Sequence, residues 1–69
     1  MNENFTKKLK VGNLVKFSSH ELMKPTSIGL IIDKEIMSFG IEDAVYYQIL
    51  TNDNQIVSVY YSLVMEKIT

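Results

Sequence analysis

Residues 45–61 read V-Y-Y-Q-I-L-T-N-D-N-Q-I-V-S-V-Y-Y, and this stretch decides the fold. Two runs rich in Ile, Val and Tyr flank a turn-forming cluster at residues 52–54, which is a strong β-hairpin signal. If these three residues form the loop, Thr51 faces Gln55. Loops of three residues usually end in a residue with positive φ, and Asn54 tolerates that conformation. The stretch therefore predicts a hairpin with one defined register.

That register places the side chains of the hairpin on two faces. We predict that one face belongs to the core, and it carries Tyr47, Ile49, Thr51, Val57, Val59 and Tyr61. The other face is unusually apolar for a solvated surface, and it carries Tyr46, Gln48, Leu50, Ile56, Ser58 and Tyr60. Slipping the register by one residue would mix the two sets, because side chains alternate between the faces of a strand.

Length and composition indicate one small folded domain. The chain has 69 residues, of which 46% are hydrophobic and 22% are charged, as is ordinary for a globular protein. It has no cysteine, so disulfides and thiolate metal sites are excluded. No apolar run approaches the roughly 18 residues that span a membrane, and residues 1–10 lack the apolar segment of a signal peptide. We therefore expect a cytoplasmic location and no membrane partner.

The net charge is −1, but its distribution is uneven. Residues 1–24 carry five lysines against two glutamates, whereas residues 25–69 carry two lysines against six acidic residues. All seven basic residues are lysines. Because arginine is the side chain that most often reads guanine edges and grips phosphates with two hydrogen bonds, its absence argues against sequence-specific binding of nucleic acid.

The N-terminal half is predicted to hold a lead-in at residues 1–8, a strand and a long loop. Phe5 in the lead-in either covers one end of the core or orders on a partner. The turn at Gly12 and Asn13 starts a strand at residues 14–17. Alternation then predicts a core face made of Val11, Val15 and Phe17. We expect residues 19–27 to form a loop, with Leu22 or Met23 folded onto the core.

The second half is predicted to hold a strand at residues 28–36, a loop at residues 37–44, the hairpin and a short last strand. The strand at residues 28–36 is expected to be central and curved, with Gly29 allowing a bend or a close backbone approach. In the loop, Phe39 and Ile41 either pack on the core or form an exposed tip. A short 3-10 turn follows the hairpin, and three residues are expected to close the core, namely Leu63, Met65 and Ile68.

Four sequence blocks carry a resemblance to a known family. They are V-G-N-L-V-K-F (11–17), G-L-I-I (29–32), Y-Y-Q-I-L-T-N-D-N (46–54) and S-L-V-M-E-K-I (62–68). In this order they resemble the SH3-like small β-barrel over residues 9–68. The resemblance implies a single all-β domain, a five-stranded barrel with one short 3-10 turn before the last strand. Asn13 and Asn54 depart from the Asp and Gly that are usual in the family.

Short stand-alone chains of this plan look like small barrel proteins of tailed bacteriophages, which implies a virion or accessory role in the virion or the host cytoplasm. The proline-binding groove of signalling SH3 domains does not carry over, because the chain has no A-L-Y-D-Y-like block and no Trp. We expect no catalytic residue, metal site or cofactor. His20 with Glu21, and the neighbours Glu42 and Asp43, are more typical of solvated surface than of catalysis or metal binding.

The outward hairpin face gives the leading functional hypothesis, which is protein binding or self-association. Tyrosine is favoured at interfaces, and exposed apolar patches mark contact sites. The predicted contact residues are Tyr46, Leu50, Ile56 and Tyr60. The alternative is that sheet twist or neighbouring loops cover these side chains within the monomer.

Two other functions remain open from the sequence. One is nucleic-acid binding through a lysine cluster, with an exposed tyrosine as a stacking platform. The lysines in question are Lys7, Lys8, Lys10 and Lys16. The other is inhibition of a host protein by a phage-encoded chain, which the resemblance allows without pointing to particular residues.

Overall fold

The computed structural model describes residues 8–19 and 24–69, and this part of the chain is all-β. Its elements are β1 (Leu14–Ser19), β2 (Lys24–Phe39), β3 (Glu42–Thr51), β4 (Ile56–Tyr60), a 3-10 turn (Tyr61–Leu63) and β5 (Val64–Lys67). The five strands form one antiparallel sheet in the order β4-β3-β2-β1-β5, so that β2 is central and β4 and β5 lie at the edges. The all-β class, the five strands and the position of the 3-10 turn are confirmed.

The hairpin between β3 and β4 has the predicted register. Tyr47 lies opposite Val59, and the backbone N–H of Thr51 donates to the carbonyl of Gln55 at 2.8 Å. Asn54 has a φ of 64°, as the last residue of the loop requires. All six residues of the predicted core face are buried, and Tyr47 and Ile49 are completely so. Turn chemistry and side-chain alternation therefore agree on one pairing.

The remaining core comes from the other strands and from the segment before β1. Val15 and Phe17 of β1 and Ile31 of β2 are fully buried. Val64 at the start of β5 and Leu9 before β1 complete the cluster. Burial of such side chains stabilises the fold by about 1.5–3 kcal/mol each. The core therefore lies on one face of the sheet and contains a residue from every strand.

The prediction for Val11 is wrong. Its side chain is 60% exposed, because the chain turns between Lys10 and Asn13 and Val11 lies within that turn. Asn13 holds the turn in two ways, since its N–H donates to the carbonyl of Lys10 and its side-chain oxygen accepts from the N–H of Lys10. Gly12 adopts a φ of 99° there. Leu9, on the other side of the turn, is buried instead.

The predicted loops on either side of β2 are too long. The strand begins at Lys24 and runs to Phe39, and β3 starts at Glu42, so only Gly40 and Ile41 remain for the turn. Pairing of Met37 with Ala44 continues the β2–β3 ladder beyond the apolar segment. Of the two alternatives for Ile41, the exposed tip is confirmed, because this side chain is fully exposed. The side chain of Phe39 lies outside the described part of the chain.

A β-bulge at Ile32 divides β2 into two halves. Ile31 lies opposite Ile49, but Gln48 lies opposite Asp33, so one residue of β2 is extra. Before the bulge the odd-numbered residues lie on the core side of the sheet, and after it the even-numbered ones do, although Ile36 and Ser38 are exposed. Lys34 consequently lies opposite Tyr47, with its Nζ 5.9 Å from the centre of that ring. In the long central strand, the side chains on the core side therefore switch from odd-numbered to even-numbered residues at the bulge.

The last strand contributes less to the core than predicted. Leu63 is half-buried against the core, as expected. Met65 and Ile68 are both exposed, because β5 is an edge strand that turns only Val64 inward. Tyr61 in the 3-10 turn is buried and belongs to the core.

Several predictions concern residues outside the described part of the chain. They are those for Phe5, Lys7, His20, Glu21, Leu22 and Met23.

Candidate partner-binding face

By register the four predicted contact residues lie on the outer face of the sheet, on the other side from the core, although Tyr60 also packs against the core. Register brings them together as two cross-strand pairs, Tyr46 with Tyr60 and Leu50 with Ile56. Ile56 is 61% exposed, whereas the other three are half-buried. A polar pair separates the two apolar ones, and it consists of Gln48 and Ser58. The amide Nε2 of Gln48 donates to the hydroxyl Oγ of Ser58 at 3.3 Å.

The pair of Leu50 and Ile56 continues across the sheet as an apolar row. Leu30 of β2 lies opposite Leu50, and Leu14 of β1 lies opposite Leu30. The row therefore crosses four neighbouring strands, and Leu30 in its middle is 39% exposed. Ile28, next along β2 on the same face, is 49% exposed. We call Leu14, Leu30, Leu50 and Ile56 the apolar row.

Acidic side chains also lie on the outer face, most of them between the apolar row and the β2–β3 turn. By register Asp33 faces outward beside Gln48, and Glu35 faces outward beside Tyr46. Glu42 continues the outward side of β3, and Glu66 lies opposite Lys16 across β5 and β1. All four carboxylates are on exposed residues, whereas Lys16 on the same face is half-buried. The outer face is therefore apolar along the row and mostly negative towards the β2–β3 turn.

A cavity of about 300 Å³ lies at the end of the outer face near the β2–β3 turn. Its lining residues, which we call the tyrosine pocket, are Glu42, Asp43, Ala44, Tyr46 and Tyr60. The two tyrosine rings have centroids 5.2 Å apart and planes tilted by 56°. Tyr60 in turn contacts the ring of Tyr61, with centroids 4.6 Å apart. The rings are thus held by neighbours on two elements, as offset aromatic pairs commonly are.

The two acidic residues of the tyrosine pocket lie on opposite sides of β3, with Glu42 on the side that carries Tyr46. Asp43 accepts a hydrogen bond from the hydroxyl of Ser38 at 2.8 Å, across the β2–β3 ladder. Glu42 lies opposite Phe39 in the last pair before the turn. Both acidic residues are exposed to water. The pocket therefore has an aromatic wall and an anionic rim, and it opens to solvent.

The predicted lysine cluster is not gathered beside the tyrosines. Lys8 and Lys10 are exposed before β1, and Lys7 lies outside the described residues. Lys16 lies opposite Ile28, whereas Tyr46 lies opposite Glu35, and these two β2 positions are about 20 Å apart at the usual rise of a strand. A stacking platform next to the lysines is therefore not formed by Tyr46.

Within residues 8–19 and 24–69 there is no cluster of three His, Cys, Asp or Glu side chains placed to hold a metal ion. Burial raises the pKa of the Tyr47 hydroxyl, although a hydrogen bond with the Leu9 backbone offsets part of the effect. Because Tyr47 lies in the core, this shift belongs to packing and not to an accessible site.

Helices that could cross a membrane are not found in the described ranges, where the helical structure is a single short 3-10 turn.

Comparisons with known proteins returned no relative. No protein-family model, no curated protein and no solved structure matches this chain.

Sequence reasoning missed Leu14 and Leu30 as members of the face. The alternation that turns Val15 inward also turns Leu14 outward, so this residue was recognisable from β1 alone. Leu30 was not recognisable, because both the odd-numbered and the even-numbered residues of 28–32 lack polar side chains. Only the pairing with β3 shows that Ile31 points inward and Leu30 outward.

Proposed function

We propose that this chain is a small non-catalytic module that binds a protein partner on the outer face of its sheet. The observation that carries the proposal is the apolar row, which crosses four strands and leaves Leu30 and Ile56 substantially exposed. Contiguous exposed apolar surface with a polar rim is typical of a contact site between proteins. Tyr46 and Tyr60 add aromatic area beyond the polar pair of Gln48 and Ser58.

The charge of the outer face favours a partner other than a second copy. Four carboxylates lie on this face, and two copies stacked on it would bring like charges together. A different protein that presents apolar side chains next to Lys or Arg would match both the row and its rim. Such complementarity contributes mainly to specificity and to the association rate.

The class of barrel and the biological setting belong to the same proposal. The strand order and the 3-10 turn before β5 support an SH3-like barrel. The setting in a tailed bacteriophage rests on the resemblance of the four sequence blocks. There the module would serve as a structural or accessory part, or as an inhibitor of a host protein, and each of these roles needs only binding.

Selection from a displayed random-peptide library tests the proposed face even though the partner is unidentified. We expect enriched peptides to combine apolar residues with Lys or Arg. Ile56→Ser should weaken their binding at least about tenfold, because burial of one isoleucine contributes about 1.5–3 kcal/mol. Val11→Ser is the matched control, since Val11 has nearly the same exposure as Ile56 but lies in the turn before β1.

Three results would contradict the proposal. One is a set of enriched peptides that bind Ile56→Ser and Leu30→Ser as tightly as they bind the unaltered chain. Another is a dimer, measured by light scattering, that dissociates in those two variants, because it would make a second copy the occupant. The third is a salt-sensitive gel shift with DNA or RNA that depends on Lys8 and Lys10.

A further inference from the structure

The tyrosine pocket has a composition that suits a cation. The faces of aromatic rings attract ammonium and guanidinium groups, and the attraction grows when the cation is partly removed from water. Tyr46 and Tyr60 pack on each other with centroids 5.2 Å apart and together form one aromatic wall of the pocket, and Glu42 supplies negative charge at its rim. The fold already holds one lysine ammonium close to a tyrosine ring, in the pair of Lys34 and Tyr47.

The size of the pocket limits what can enter it. A volume of about 300 Å³ is at the lower end of the range for ligand sites. It accommodates the end of one side chain but is small for a nucleotide or a large cofactor. Ala44 forms part of the wall, and its small side chain leaves space between the rings and the strand. The pocket therefore suits a single cationic group.

We propose that the tyrosine pocket binds the ammonium or guanidinium group of a Lys or Arg side chain from the partner protein. This inference rests on the proposed function, because it names the partner group that the acidic end of the outer face accepts. The aromatic wall of Tyr46 and Tyr60 contacts the cation, and the carboxylate of Glu42 attracts it. The apolar row then binds the apolar side chains of the same partner, beyond the polar pair of Gln48 and Ser58.

Titration with short peptides, followed by amide chemical shifts, tests the pocket directly. The probes are Gly-Gly-Lys-Gly-Gly and Gly-Gly-Arg-Gly-Gly with blocked ends, and the uncharged control has norleucine in place of Lys. We expect saturable shifts at Ala44, Tyr46 and Tyr60, with at least about fivefold tighter binding of a charged peptide than of the control.

Variants then separate the contributions of the rings and of the charges. Tyr46→Leu should weaken binding of the charged peptides about fivefold, whereas Tyr46→Phe keeps the ring face and should bind nearly as well. Glu42→Gln should weaken binding and reduce its dependence on salt. Tyr46 and Glu42 are both outside the core, and dispersed amide spectra will show that each variant is folded.

The same titration on Ile56→Ser keeps the two proposals distinguishable. Ile56 is not part of the pocket, so the charged peptides should still bind when the apolar row is disrupted. Equal binding of the norleucine and lysine peptides, or binding that is unchanged in both Tyr46→Leu and Glu42→Gln, would overturn the assignment. Tighter binding of tetramethylammonium than of either charged peptide would also overturn it, in favour of a free small cation.

Discussion

Gly29 shows how closely two neighbouring strands approach in this sheet. A Cβ atom at position 29 would lie 2.8 Å from the carbonyl oxygen of Leu50 and would also meet the side chain of Ile49. Position 29 therefore has no room for a side chain, although its backbone conformation is an ordinary one. The close approach was predictable from a glycine inside an apolar strand, but the atoms that it meets depend on the register with β3.

Gly29→Ala should lower the free energy of unfolding by about 1–3 kcal/mol, because the new methyl group forces the β2–β3 ladder apart. Urea denaturation followed by circular dichroism measures the loss. Ile41→Ala serves as control, since a fully exposed side chain should contribute less than about 0.5 kcal/mol. If Gly29→Ala were as stable as the control, the close approach of the two strands would be wrong.

The β2–β3 hairpin is the element whose length the sequence did not reveal. The apolar pattern predicts that strand β2 ends near Ile36. The pairing with β3 continues to Phe39, although Ile36 is exposed. The fully buried residue of β2, Ile31, lies before the bulge. Local pattern could not detect this extension, because its pairing depends on backbone groups and not on buried side chains. By contrast, the β3–β4 hairpin has a loop and an alternation that both specify its register.

Hydrogen exchange should distinguish the two ends of the β2–β3 ladder. We expect amides near the Ile31 and Ile49 pair to exchange only on global unfolding, since both side chains are fully buried. Amides near the Ser38 and Asp43 pair should exchange faster, through local opening of the tip. Mass spectrometry of peptide fragments or NMR measures the difference. Equal protection along the ladder would mean that the hairpin opens only as one unit.

For the molecule as a whole, the core was largely predictable and the binding face only in part. The hairpin register identified the core residues of β4 and most of those of β3, but not Val45, and it identified the four outward residues. Its continuation through Leu30 to Leu14 depends on how three strands pair and on the position of one bulge. The tyrosine pocket also includes Glu42 and Asp43, which the sequence pattern places in a loop. Pairing between strands that are distant in sequence therefore limits what a single sequence can reveal about the site.

Stability of the whole fold should decline at alkaline pH because of Tyr47. Its pKa is raised in the folded protein above the ordinary value of 10.0, so the unfolded chain loses this proton first. The contribution is fully present below pH 10 and is lost as the pH rises from 10 toward the folded pKa. Urea midpoints measured between about pH 9 and pH 11.5 should fall less steeply for Tyr47→Phe than for the unaltered protein. Parallel curves for the two proteins would contradict this linkage.

The bulge at Ile32 also has a consequence for how this chain can change over generations. From Gly29 to Phe39 each residue of β2 has a partner in β3, except Ile32. Deleting that one extra residue would therefore leave the other pairs in place and make this part of β2 a regular strand. A deletion at another position of β2 would shift the register and move the residues beyond it to the other side of the strand. We expect natural variation in length to be confined to the turns of this small domain and to the bulge.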